Sequence, residues 1–152
     1  MENNFEKEKI FHGAIVVFYK NMDGKNYYLV AENSKTGNIS FVSGAKENMD
    51  QSLEESAQRE VEEELGLDAS KYKLTEIDVK HDFVFGPKKK ERAGYRGSYQ
   101  IFVSDLSDAD FEVSHTKELK GLKWMTEEEV LDTLTFVDVK EVFVRALDRI
   151  KG

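Results

Sequence analysis

Residues Gly44 to Leu67 read GAKENMDQSLEESAQREVEEELGL, and they carry an apolar stripe and an acid cluster on one predicted helix. Leu53, Ala57, Val61 and Leu65 recur every four residues, the spacing that lines one helical face and anchors it in a core. Ser52 with Glu55 three residues later is a capping-box start, and Gly66 stands where helices commonly stop. The spacing therefore predicts a helix from about Ser52 to Leu65, preceded by a loop from Gly44 to Gln51. Four glutamates fall between positions 60 and 64. Glu60 and Glu64 are four apart and Glu60 and Glu63 three apart, so all three share a face. Like charges so placed cost a bare helix roughly 0.2–0.5 kcal/mol per pair. A divalent cation would remove that cost, and carboxylate oxygens on a rigid element suit a hard ion such as Mg²⁺.

This loop–helix–loop resembles the Nudix box, G-x5-E-x7-R-E-U-x-E-E-x-G-U, where U is a bulky aliphatic residue. Arg59, Glu60, Val61, Glu63, Glu64, Gly66 and Leu67 match its second half in order. The first half departs from it: the box glycine falls on Ala45, with Gly44 one residue early, and the first box glutamate falls on Gln51. The resemblance implies an α+β fold, a Nudix-type α/β/α sandwich around a mixed β-sheet, forming one domain over residues 1–152. It also implies hydrolysis of a nucleoside diphosphate linked to another moiety, with Mg²⁺ or Mn²⁺ as cofactor. The metal ligands implied are Glu60, Glu63 and Glu64, with the backbone carbonyl of Gly44. Glu60, Glu63, Arg59 and Glu118 are the implied catalytic set, with Arg59 orienting the acids by ion pairing. Gln51 removes a charge; it retains an amide able to bond to Arg59 or to a metal-bound water.

The chemistry is consistent with the residue types. A pyrophosphate is a polyanion that repels an attacking nucleophile, and a bound divalent ion neutralises its oxygens and lowers the pKa of a bound water. Clustered acids titrate as a coupled set, and one of them is available to accept a proton. Glu118 lies six residues before Trp124 in ELKGLKW, which resembles the family segment where an acid precedes an aromatic strand; the alternative is a surface acid. Trp124 reads as core or as a nucleoside-site wall. None of His12, His81 and His115 has metal-ligand spacing with another.

A second constellation, FVFGPKKKERAGYRG at Phe83 to Gly97, places five basic residues within nine positions of an otherwise acidic chain. Its functional reading is a loop in which Arg92 or Arg96 grips a polyphosphate and Tyr95 or Tyr99 stacks on a base. Its plain reading is a solvated hairpin tip with lysines guarding strand edges. The stretch RGSYQIF resembles the glycine-x-x-glutamine strand of Nudix enzymes acting on dinucleoside polyphosphates and RNA 5′ ends.

The chain has 152 residues, 39% hydrophobic and 34% charged, enough for a single core. Its 22 basic and 30 acidic residues give a net charge of −8, which argues against broad binding to duplex nucleic acid or anionic lipid. With no cysteine there is no disulfide framework. No apolar run reaches the ~18 residues a membrane span needs, and the acidic first residues lack signal-peptide character, so a cytoplasmic protein is expected. The expected partner is a small nucleotide, and a homodimer is compatible with the family resemblance. Elsewhere, strands are predicted at Lys9–Tyr19, Tyr27–Ala31, Ile39–Val42, Leu74–Phe85, Ser98–Val103 and Leu122–Met125, with a turn over residues 21–26. Further helices are predicted from Thr126 to about Leu134 and from Asp138 to Ile150.

Overall fold

The computed structural model describes residues 9–87 and 91–151. Its first two strands, β1 (Ile10–Met22) and β2 (Lys25–Asn33), form a tighter hairpin than the predicted six-residue turn. Only Asp23 and Gly24 connect them, both at positive φ (55° and 84°), and Met22 faces Lys25. Such a mirror-image turn matches the natural twist of paired strands, and an Asp-Gly pair tolerates it. The predicted strand at Ile39–Val42 divides at Phe41 into β3 (Ile39–Ser40), which pairs with β2, and β4 (Val42–Ala45), which pairs with β1.

Three more strands complete a mixed sheet: β5 (Thr75–Val84), β6 (Arg96–Asp105) and β7 (Leu119–Met125). The order is β3-β2-β1-β6-β5, with β4 on β1 and β7 on β2. β6 begins two residues before the prediction and β7 three before, because pairing with a neighbour extends strands past their apolar centres. β1 and β6 run parallel in unbroken register from Ile10↔Arg96 to Tyr19↔Asp105. That pairing sets the N-terminal end of β1 beside the end of the loop after β5, although some 85 residues separate them in sequence.

The helix α1 (Leu53–Leu65) has the predicted bounds. The Ser52 side chain accepts from the Glu55 backbone N–H at 3.1 Å, and Gly66 closes the helix in the left-handed region at φ 65°. The Glu55 carboxylate accepts from the Gln51 N–H at 2.9 Å, one residue ahead of the expected reciprocal partner. The two remaining helices are α2 (Glu127–Thr133), which carries the full Thr126–Glu129 capping box, and α3 (Val137–Lys151).

Helices cover both faces of the sheet. Alternation along β1 sends Ala14, Val16 and Phe18 to a core with Ala57, Val61 and Leu65 of α1, and Ile15 and Val17 to one with Val139, Val142, Phe143 and Ala146 of α3. This is the expected α+β sandwich around a mixed sheet. Complete burial of an aliphatic side chain such as Val61 stabilises by roughly 1.5–3 kcal/mol. The buried stripe therefore holds α1 in place while its other side bears the acids. No helix among the described residues is long and apolar enough to cross a membrane.

Candidate active site

Arg59 is the hub of the acid cluster. Its guanidinium donates to Asp50 Oδ2 at 2.9 Å, Glu60 Oε2 at 2.9 Å, Glu63 Oε2 at 3.3 Å and the Ala45 carbonyl at 2.8 Å. Glu47 lies 3.4 Å away. The helix is thereby tied to the end of β4 through one planar donor fork.

Asp50 was not among the residues singled out in the sequence, and Gln51 was offered as a partner for Arg59. The structure reverses these roles. Gln51 is exposed, and Asp50 is only 6% exposed. Besides Arg59, the Asp50 carboxylate accepts from the Ser56 hydroxyl and the Glu47 N–H, each at 2.9 Å. Arg59 above all, with help from Glu47 and Ser56, holds this carboxyl well below the usual range against the opposing effect of burial. The charge missing at Gln51 is thus supplied from the preceding position. The available signal was an acid adjacent to the vacant box position, legible once the loop is known to turn Asp50 inward.

Glu60 and Glu64 form the core of the acid face, half-buried and one turn apart on α1. Burial raises the Glu60 pKa; the Glu63 charge adds to this, while the neighbouring Glu64 carboxyl and the Arg59 guanidinium oppose it. Glu64 is pushed up to about 9, first by burial, then by Glu60, and then by the charges of Glu118 and Glu63. Two half-buried carboxylates this close cannot both ionise cheaply without a cation. Glu118 immediately precedes β7 and is near enough to act on Glu64, which brings it into the cluster. Glu63 is more exposed and is held through Arg59.

Gly44 sits against this pair. A Cβ added there would collide with the Glu60 carboxyl, so the departure at Ala45 leaves the essential glycine in place. Across the sheet, Gly13 lies opposite both Ala45 and Tyr99, and a Cβ on it would come within 2.6 Å of the Gly44 carbonyl oxygen and of Tyr99 Cζ. Two glycines thus let β1, β4 and the Glu60 carboxylate crowd together. Among the described residues no three acidic or histidine side chains form a finished metal cage. Mg²⁺ does not require one, because it keeps several of its waters. Two half-buried carboxylates one turn apart, with a third and fourth acid adjacent, are a donor set that fits such an ion.

The second constellation divides. Lys88, Lys89 and Lys90 lie outside the described residues. Arg92 lies over two rings, 5.5 Å from the centre of Phe11 and 5.6 Å from that of Phe85. Tyr95 meets Phe11 edge-on at 5.7 Å. Arg96 opens β6 and is exposed. Tyr99 does not offer the stacking surface expected of it: it is 8% exposed, packed on Phe83 at 5.2 Å and filling the space left by Gly13. Burial raises its pKa, with Arg92 opposing and Glu60 adding, so the basic ledge and the acid pair both lie near Tyr99. In the RGSYQIF strand, Gly97 is required because Phe83 lies against it, and the Gln100 amide donates to the Ile77 and Val79 carbonyls, where β5 bulges out of register with β6. That glutamine is architectural.

Trp124 stands apart. It pairs with Leu29, carries Lys20 Nζ 4.3 Å over its ring, and lines a cleft of about 480 Å³ near the β1–β2 turn. Lys20 is seven residues along β1 from Gly13, roughly 23 Å at the ordinary strand rise. His81 is bonded through Nε2 to Asp138 at 2.8 Å and stacked on Phe83, and His115 Nδ1 is 2.8 Å from the Thr116 carbonyl oxygen.

The structure thus presents an acid-faced helix locked by an arginine to the end of β4, inside an α/β/α sandwich. A family model described as NUDIX domain matches residues 10–147, and the chain belongs to the Nudix hydrolase family. A NUDIX hydrolase structure from Listeria monocytogenes is similar at a TM-score of 0.76 with 21% identity, covering 92% of this chain and 94% of that one. The Ap4A hydrolase of C. elegans, in a binary complex, reaches 0.76 with 18% identity over 93% and 98%. The dihydroneopterin triphosphate pyrophosphohydrolase of E. coli reaches 0.71 with 20% identity over 88% and 94%. No curated protein matches the chain.

Proposed function

We propose that this Nudix hydrolase uses Mg²⁺ or Mn²⁺ to cleave the pyrophosphate bond of a nucleoside diphosphate linked to another moiety, with dinucleoside polyphosphates or long nucleoside polyphosphates as preferred substrates. The observation that carries the reading is the half-buried pair Glu60 and Glu64, one turn apart on α1, with Glu60 against Gly44 and with Glu63 and Glu118 nearby. Glu60, Glu63 and Glu64, with the Gly44 carbonyl, are the residues that would hold the ion. When bound, such an ion neutralises phosphate oxygens and makes a nucleophilic water accessible near neutral pH. Arg59 aligns Glu60 and Glu63 and is itself held by Asp50. Glu118, exposed just before β7 and outside that ligand set, is the acid that would accept a proton from the attacking water.

Arg92 and Tyr95 supply the substrate end. Arg92, spread over Phe11 and Phe85, presents a fork suited to phosphate oxygens from a surface that costs it little side-chain entropy. Tyr95 offers an aromatic edge beside it for a base, and Arg96 a second charge on the same loop. The names of two similar structures, an Ap4A hydrolase and a triphosphate pyrophosphohydrolase, agree with a polyphosphate substrate.

One observation favours a second reading, a nucleotide-binding module without turnover. Gln51 removes a box glutamate, and Asp50 restores its ion pair but no acid at that position. Product formation separates the two. A panel of nucleoside triphosphates, dinucleoside polyphosphates, nucleotide sugars and 5′-triphosphate RNA, assayed with Mg²⁺ and Mn²⁺, is expected to give metal-dependent cleavage that Glu64→Gln abolishes. Thermal stabilisation by a nucleotide without product would establish the binding module instead.

A further inference from the structure

We infer that Thr116 is a positioning residue, a clip that holds the loop-borne Glu118 against the Glu60–Glu64 pair. This assignment rests on the hydrolytic reading of that pair. The last carbonyls of any α-helix lack partners within the helix. In α1 the Gly66 N–H takes the Glu62 carbonyl at 2.9 Å, and among those it leaves are the carbonyls of Glu63 and Glu64. Thr116, about fifty residues further on, serves both: its hydroxyl donates to the Glu63 carbonyl at 2.6 Å, with Glu64 O at 3.3 Å, and its N–H donates to the Glu64 carbonyl at 2.9 Å.

The same hydroxyl oxygen then accepts from the Glu118 N–H at 3.3 Å. A hydroxyl has one proton and two lone pairs, so it can donate to the helix and accept from the loop at once. On its other side Glu118 is held by Ser34, whose hydroxyl donates to the Glu118 carbonyl at 2.9 Å. One oxygen atom therefore links the helix residues that bear Glu63 and Glu64 to the backbone of Glu118. Without it, the Glu118 N–H would lose its partner, leaving Glu118 held from the Ser34 side and by the backbone bond from Leu119 to Thr116. A carboxylate that must meet a metal or a water within a few tenths of an ångström needs such a tether.

A mutant cycle tests the inference. Thr116→Val keeps the shape and the backbone bond to Glu64 while removing the hydroxyl's bonds, and is expected to lower kcat about tenfold with little change in KM, and to weaken Mn²⁺ binding measured by electron paramagnetic resonance by a similar factor. Thr116→Ser keeps the hydroxyl and should restore most of both. If Thr116 acts through Glu118, the double variant T116V/E118Q is no worse than E118Q alone. Additive losses, or wild-type Mn²⁺ affinity in Thr116→Val, would overturn the inference. Should Thr116→Val fail to fold, Thr116→Ala combined with E118Q runs the same cycle, with the same two outcomes. The Mn²⁺ titrations do not require turnover. A failed hydrolytic reading would show as inactive wild type with an intact cycle in metal affinity, and a failed clip as active wild type with no coupling.

Discussion

The acid face of α1 and the basic ledge around Arg92 both lie near Tyr99, yet they are built by opposite means. The acid face is local: Glu60, Glu63 and Glu64 share a helical side, and Arg59 precedes them by one residue. The ledge is assembled from three distant segments, Phe11 on β1, Phe85 after β5 and Arg92 with Tyr95 before β6, joined by the β1–β6 register. The acids are half-buried and strained by mutual repulsion, whereas Arg92 rests on ring faces that it does not have to desolvate deeply. The first region is expected to govern stability and chemistry together. The second should govern recognition with little effect on stability.

The largest test of that division is Asp50. Asp50→Ala removes the buried partner of Arg59 and is expected to cost about 3 kcal/mol in denaturant unfolding, the low end for a broken buried pair because Arg59 keeps Glu60. Gln51→Glu, one residue away and exposed, should stay within about 0.5 kcal/mol; equal effects at the two positions would mean that Asp50 has not taken over the ion pair. Next, Glu64→Gln should lower metal-dependent turnover at least ~100-fold, near 2.7 kcal/mol of barrier, while leaving the fold intact or steadier in the absence of metal.

A pH series sharpens the same contrast. The Glu64 pKa stands near 9 in the folded chain, against about 4.5 when unfolded. Its proton is retained on folding, so the metal-free protein is most favoured at this site below pH ~4.5 and loses that stability as pH rises towards 9. Saturating Mn²⁺ competes with the proton, so the increment it adds to the melting temperature should grow over the same interval. A metal-free melting temperature unchanged between pH 5 and 9, in wild type and Glu64→Gln alike, would contradict the raised pKa of Glu64. The smallest effect is at the ledge. Arg92→Ala should raise KM for a polyphosphate substrate about tenfold with kcat nearly constant, and the KM of the wild type should rise with salt more steeply than that of the variant.

Much of this was legible from the chain. Both helix caps of α1, its bounds, and the shared face of Glu60, Glu63 and Glu64 follow from intervals of three and four residues, which any window of a dozen residues displays. The two-residue turn at Asp23-Gly24 was less legible, because the apolar pattern of β1 fades at Lys20 although pairing carries the strand to Met22. Tyr99 was misread as a stacking platform for a related reason: its sequence neighbours are basic and glycine-rich, and only the register opposite Gly13 shows that its ring is used to fill a gap.

The acid helix, its caps and its anchoring stripe were therefore determined by the sequence alone, since the interactions that define them act within one or two turns. The tertiary structure decided the rest. It decided that Asp50, and not Gln51, holds Arg59, that a hydroxyl at Thr116 closes the C-terminal end of α1, and that Arg92 reaches Phe11 across the parallel pair. Each of these depends on where distant backbones meet, and that is set by how the two cores pack on opposite faces of one sheet rather than by any short interval in the chain.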